Sequence, residues 1–582
     1  MRPSDGSPAT EQEQAEFFEQ LCEGFQAASA RSGEVVHDFR VAGTSVRLRF
    51  AGDALISSMT PGLASAVSGL EAGPHCEICL WDSESTGAPL APRPRPTKDF
   101  TERGNIWGFD STRYRSAYQW GEGSLSVMDR ETRRAVYWVP SHKHLPVWVQ
   151  ASPLRSILHW WMELNGRQLV HAAAVGQGGR GVLIPGRGGS GKSSTSLACL
   201  LAGLDFLGDD YLALALDPEP CIYRLYSTAK LDPRTLNQYP ELRRRCRTAY
   251  QPGFDKVVLF LEEGYREQLR ESLPLDLVLK PRISGAPDTN VGPAEPLEIE
   301  RALAAETLVH LPHVGVHTLE FLERVSRQVP RCAIHLGTDR ARIPAAIQTA
   351  LESGPSVNTS RRQPQERRPF VSLIVHLWQE EREELRTLAA EIETQGYERT
   401  ELVVILGGPA GAMADEIAVL PGNVRSLSFN DPVVHAEAWN RGIRESFAEL
   451  LVFLQPGDRL LPGALGALLN ACEREPKAAW VQGRVLCSGP ENPAPSPLRG
   501  ALVQKSVFRE CGLFQTEPLF QGREQVKWIQ QAMEKGLTGS AIDSVTLQIA
   551  SPAAPEPGTP LCKPDLSFLR GELAKRRGKK PE

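Results

Sequence analysis

"LIPGRGGSGKSSTSLACLLAGLDFLGDD", residues Leu183 to Asp210, decides how the first half of the chain is read. Its segment Gly186 to Ser193 fits the pattern GxxxxGK[ST]. In that pattern glycine-rich backbone turns its N–H groups inward as an anion nest, and the following helix adds the positive end of its dipole. The flanks suit the role: "GVLIPG" is an apolar strand, "KSSTSLACLLAG" has the apolar face of a helix closed by Gly203, and "LDFLGDD" is a short strand ending in two acids. In such a loop Gly186, Gly188, Gly189, Ser190 and Gly191 wrap phosphate, Lys192 reaches the β- and γ-phosphates, and Ser193, followed by Ser194, offers its hydroxyl to Mg²⁺. ATP and Mg²⁺ are therefore the expected cofactors.

Asp209 and Asp210 are expected at the carboxyl end of a strand in a parallel sheet, on the same edge as the loop. One would hold the metal and the other accept the proton of an attacking hydroxyl. Asp210 is assigned with Ser193 to the metal, while which of the two acids is the base stays open. The chain shows no guanine-reading NKxD segment and no later apolar strand ending in DE, so a switch GTPase and a motor ATPase both lack their residues. Transfer of phosphate to a bound acceptor fits better.

A net charge of −5 on 582 residues gives no electrostatic case for nucleic acid or for a membrane surface. No apolar run reaches bilayer length and the first residues are polar, so the expected location is the cytoplasm. Eleven scattered cysteines fit a reducing compartment. His75, Cys76 and Cys79 have the spacing of half a zinc site, but no second pair completes it, and a strand before the turn at Asp82 to Gly87 is the simpler reading.

The order of "LVHAAAV", "GRGGSGKSS" and "GLDFLGDD" resembles the HPr kinase type of P-loop kinase, distantly akin to ATP-dependent phosphoenolpyruvate carboxykinases, over roughly residues 150 to 350. That resemblance implies ATP-dependent phosphorylation of a serine hydroxyl on a peptide or protein acceptor. It puts His171 near the transferred phosphate and Asp209 or Asp210 in the role of base, and it implies a homo-oligomer. The later segment that engages the protein substrate in that family has no counterpart here. Ser227, Thr228, Lys230 and Lys256 are polar groups that would line the acceptor side, with strand-edge decoration the alternative. A small-molecule kinase and a non-catalytic ATP-sensing regulator are the other readings of this region.

Beyond residue 370, "VSLIVHLWQE", "ELVVILGGP", "AEAWNRGIRES", "LLVFLQPGDRLLPGAL" and "REQVKWIQQAMEKG" resemble family 2 glycosyltransferases of the GT-A, Rossmann-like fold, in order. The resemblance implies a nucleotide-sugar donor and a glycan at this half. Yet Leu406 and Gly407 stand where the family carries nucleotide-binding acids, and Gln455-Pro456-Gly457 where it carries the metal-holding DxD. Asp458 and Glu524 are the remaining acids of a glycosyltransferase site. The expected reading is a degenerate domain that binds a partner, with a working, metal-independent transferase carrying an ATP-binding regulatory domain as the alternative. Asn440 and Gly442 match the family in structural roles.

The expected fold is α/β and multidomain: a β-rich region at 1–150, the P-loop domain at 151–352, a linker at 353–369, the GT-A domain at 370–550, and a disordered basic tail at 551–582.

Overall fold

The computed structural model describes residues 8–63, 66–67, 75–89, 93–353, 369–377, 382–397, 399–407, 417, 420, 423–429, 433–487, 498–516, 524–549 and 561–562. The expected linker and tail therefore lie almost wholly outside the described residues. The chain is a mixed α/β protein whose sheets fall into two compact units, one of Ala9–Arg361 and one made chiefly of Arg362–Glu582. Among the described residues no helix is long and apolar enough to cross a membrane.

The first unit opens with the helix Glu11–Ser32, capped by Thr10 and Glu13 in a reciprocal capping box. Its Phe17, Phe18, Leu21 and Phe25 pack on Trp81, Tyr114, Val127 and Trp138 of a seven-stranded sheet. The first two strands, Glu34–Val41 and Thr44–Ala51, pair antiparallel through the two-residue turn Ala42-Gly43, both at positive φ, as a tight hairpin requires. Cys76 and Cys79 lie on the strand Cys76–Asp82, buried, and burial pushes the Cys79 thiol up to about 12. The strand expected of this segment is present. The residues after it form a short helix, Ser83–Thr86, rather than a bare turn.

The loop belongs to a second sheet of eight strands in the same unit. Along its strands alternate residues face opposite layers. Val170, Ala172, Ala174 and Leu183 pack toward Leu303 and Leu322 of two helices, Pro296–His310 and Val316–Gln328. Ala173, Val175, Val182 and Ile184 pack toward Cys199 and Ile347 of the helices Lys192–Leu201 and Arg342–Ser353. The expected parallel sheet does not form around the loop. Strand Arg180–Pro185, which feeds the loop, is parallel to Ser272–Ile283 but antiparallel to Gln168–Gln177. The cause is local: only Gly178 and Gly179, both at positive φ, separate Gln177 from its partner Arg180, and two residues can join strands only as a hairpin.

In the second unit the apolar runs form the expected alternation of strands and helices. Val371–Leu377, Thr400–Leu406, Val424–Ser428 and Leu450–Leu454 are mutually parallel in the spatial order third, second, first, fourth, with antiparallel strands beyond. The order reverses between Val371–Leu377 and Leu450–Leu454, and such a switch point opens a crevice at the carboxyl ends of the strands. Helix His435–Glu445 packs here so closely that a Cβ on Gly442 would lie 2.4 Å from Ile374 Cγ2. Buried Asn440 donates from Nδ2 to the Phe514 carbonyl at 2.8 Å and accepts from the Phe514 N–H at 2.9 Å. Replacing it with alanine leaves both backbone groups unpaired, at a cost of about 2–4 kcal/mol. Asn440→Ala should lower the unfolding midpoint of this unit, read by urea titration of tryptophan fluorescence, and Gly442→Ala should do likewise by steric conflict.

Candidate functional site

Strand Arg180–Pro185 delivers the chain to Gly186, and helix Lys192–Leu201 takes it up again after Gly191. Gly189 and Gly191 sit at φ 77° and 98°, a region that strains other residues, and at Gly191 a Cβ would also meet Leu336 Cδ1 at 2.5 Å. The Lys192 side chain is buried and folds back on the loop, its Nζ donating to the carbonyls of Gly186 (2.5 Å) and Arg187 (3.1 Å). Burial pulls its pKa down. Ser194 lies on the first turn of the helix, partly buried.

Asp209 and Asp210 interrupt what would otherwise be one strand. Asp205–Gly208 before them and Tyr211–Ala215 after them both pair antiparallel with Gln168–Gln177, in a register that sets Tyr211 opposite His171. The two carboxylates then diverge. Asp209 is buried and accepts from the Lys230 N–H at 2.9 Å and from Ser196 Oγ at 3.3 Å, and the Ser193 side chain also favours its ionised form. Burial raises its pKa against those donors. Asp210 lies 3.0 Å from His171 Nε2 and accepts from Lys230 Nζ at 2.6 Å. Burial opposes its ionisation, but Lys230 and His171 outweigh burial and hold its carboxyl well below the usual range. His171 stacks on Tyr211, and burial keeps its imidazole toward the neutral form.

Asp209 is the acid whose ionised form the Ser193 side chain favours, while Asp210, expected with Ser193 at a metal, is engaged by His171 and Lys230. The reason is the strand break, which turns successive side chains to different neighbours. A hydroxyl next to a carboxylate is an oxygen donor set of the kind Mg²⁺ takes. Ser227 and Thr228 do not line an acceptor surface: the Ser227 hydroxyl accepts from Arg224, and Thr228 donates to the Ala151 carbonyl at 2.6 Å. Lys230 does reach the acids. Glu306, unmarked in the sequence reading, accepts from the Gly188 N–H at 2.9 Å.

At the switch point of the second unit, Leu406 is core and the Gly407 N–H donates to the Leu377 carbonyl at 3.0 Å. Asp458 is fully enclosed. It receives Arg499 through Nε at 2.9 and 3.0 Å and Nη2 at 2.5 Å, and accepts from the Gln455 N–H at 2.8 Å. Its lone pairs are occupied, so it positions Arg499 and the turn rather than standing open to a metal. Glu524 begins the helix Glu524–Glu534 and is buried near His435, whose Nδ1 meets His376 Nδ1 at 3.0 Å.

Residues 372–530 match the family model Glycosyl transferase family 2. No curated protein matches the chain. Among solved structures, one titled "Crystal structure of S. aureus TarS" is 10% identical, with a TM-score of 0.28, covering 31% of this chain and 37% of that one. The family match lies within the second unit and does not extend to the loop unit, whose reading rests on the loop and the side chains around it.

Removing Arg499 would strand a buried carboxylate, which costs about 3–5 kcal/mol. Arg499→Leu should therefore destabilise the protein in urea titration, and Asp458→Asn added to it should restore most of the loss. Mn²⁺ should not rescue the single variant.

Proposed function

We propose that this chain is a family 2 glycosyltransferase-type transferase, taking a nucleotide-sugar donor and a glycan acceptor, with a P-loop unit that binds Mg²⁺–ATP. The observation that supports it most is the family match over 372–530, laid on a sheet whose strand order opens a crevice between Val371–Leu377 and Leu450–Leu454. The metal-holding acids are replaced and Asp458 is committed to Arg499, so the transfer read here is metal-independent. Glu524 is the base that takes the acceptor proton, and Arg499, held in place by Asp458, supplies positive charge for the leaving diphosphate. Electrostatic stabilisation of that group is usually the largest catalytic contribution. With a panel of UDP-, GDP- and dTDP-sugars, nucleotide release should persist in EDTA and fall by roughly 10²-fold or more in Glu524→Gln. No release from any donor would overturn the transferase reading.

In the loop unit the residues suit ATP. Gly186 to Ser194 would hold the phosphates, with Lys192 as their cation, and Ser193 with Asp209 would hold Mg²⁺, which would supply neutralisation of phosphate charge. The arrangement of Asp210 favours a second reading, in which this unit is itself a kinase for a serine hydroxyl. Asp210 is kept ionised by Lys230 and lies against His171 beside the loop, which suits a group that orients or deprotonates an attacking hydroxyl. Lys192→Ala should abolish ATP binding under either reading, measured by calorimetry with Mg²⁺. Asp210→Asn separates them: with γ-labelled ATP and cell extract, a kinase loses label transfer while keeping ATP affinity, whereas a regulatory domain transfers no label in the wild type.

A further inference from the structure

Glu306 and His310 are four residues apart on the helix Pro296–His310, so they share one face of it. His171 reaches the same point from the strand Gln168–Gln177. Glu306 Oε2 lies 2.9 Å from His310 Nε2 and 3.7 Å from His171 Nδ1. One ligand atom from each of the three residues falls within 4.8 Å of the other two, the only such group of His, Cys, Asp and Glu among the described residues. Tetrahedral ligands on a first-row divalent ion stand about 3.3 Å apart, given bonds of about 2.0–2.1 Å, so small side-chain rotations bring these atoms to that spacing.

A second observation concerns the imidazole. His171 Nδ1 is buried and has no hydrogen-bond partner, while Nε2 is tied to Asp210 Oδ1 at 3.0 Å. A proton on Nε2 leaves the Nδ1 lone pair turned toward Glu306. A carboxylate fixing the far nitrogen of a ligating histidine is the usual outer shell of a zinc site. Asp210 is in turn held by Lys230, and the other Glu306 oxygen by the Gly188 N–H, so two of the three ligands are oriented before any ion arrives.

We infer that His171 Nδ1, Glu306 and His310 Nε2 form a binding site for a first-row transition cation of the Zn²⁺ or Co²⁺ class, beside the phosphate loop. Two imidazoles and one carboxylate leave a fourth position open, and Gly188 places that position next to the anion nest. The donor set differs in kind from Ser193 and Asp209, whose hard oxygens suit Mg²⁺, so the loop unit holds two cation sites of different selectivity. The side chains of His310 and Glu306 are 44% and 21% exposed, which gives an ion a path in. The site does not depend on either transfer reaction.

The test uses the full chain stripped of metal with a chelator, without ATP. Zn²⁺ is titrated by calorimetry and Co²⁺ by visible absorption, with Mg²⁺ as control. Wild type should bind one Zn²⁺ and one Co²⁺ that Glu306→Gln and His310→Ala each weaken at least tenfold, with four-coordinate Co²⁺ bands lost and excess Mg²⁺ not competing. The cysteines, the competing soft ligands, are unchanged in all three proteins and cancel in the comparison. His310→Gln serves as a second variant should the alanine lower the metal-free unfolding midpoint. Wild-type affinity in the variants, or Mg²⁺ displacing Zn²⁺, would overturn the site and leave Glu306 and His310 as a helix-face hydrogen bond.

Discussion

The antiparallel register that sets His171 opposite Tyr211 is the constraint on which the loop unit depends. It places the end of one strand pairing and the start of another at Asp209 and Asp210, and two adjacent carboxylates, one buried and one partly buried, cannot remain there uncompensated. Lys230 resolves the conflict from a separate three-stranded sheet, its N–H on one acid and its ammonium on the other. Loop, acids and histidine are thereby fixed by three backbone pairings rather than by a mobile segment. Such support holds these side chains within narrow positional tolerances.

Legibility followed sequence distance. The phosphate loop could be read because glycines and lysine at fixed spacing carry their geometry locally, and Gly178-Gly179 likewise carry the hairpin that makes the flanking strands antiparallel. Asp209 and Asp210 were visible as acids after a strand, but their division of labour was not, because the partners that separate them lie on residues 171, 193 and 230. Lys230 stood out only as a polar residue in a strand. Glu306 and His310 had a signal, an i, i+4 acid and histidine on one helix, but it gains meaning only when the strand bearing His171 arrives more than a hundred residues away in sequence.

In the second unit the strands were legible because parallel, doubly covered strands are nearly continuous apolar runs. The replaced acids at 406, 407 and 455–457 were equally plain. What sequence could not supply was the fate of Asp458, which spends its oxygens on an arginine 41 residues away. That ion pair commits Asp458, expected as one of the remaining acids of the site, to holding Arg499.

The central proposal is that triphosphate binds at the glycine loop and not in residues 372–530. Hydrogen–deuterium exchange of the full chain with and without Mg²⁺ and a non-hydrolysable ATP analogue tests it most directly. The account predicts slowed exchange at the amides of residues 186–194 and at Lys230, with residues 372–530 unchanged. Unaltered exchange across the loop, or protection appearing in residues 372–530 instead, would contradict it.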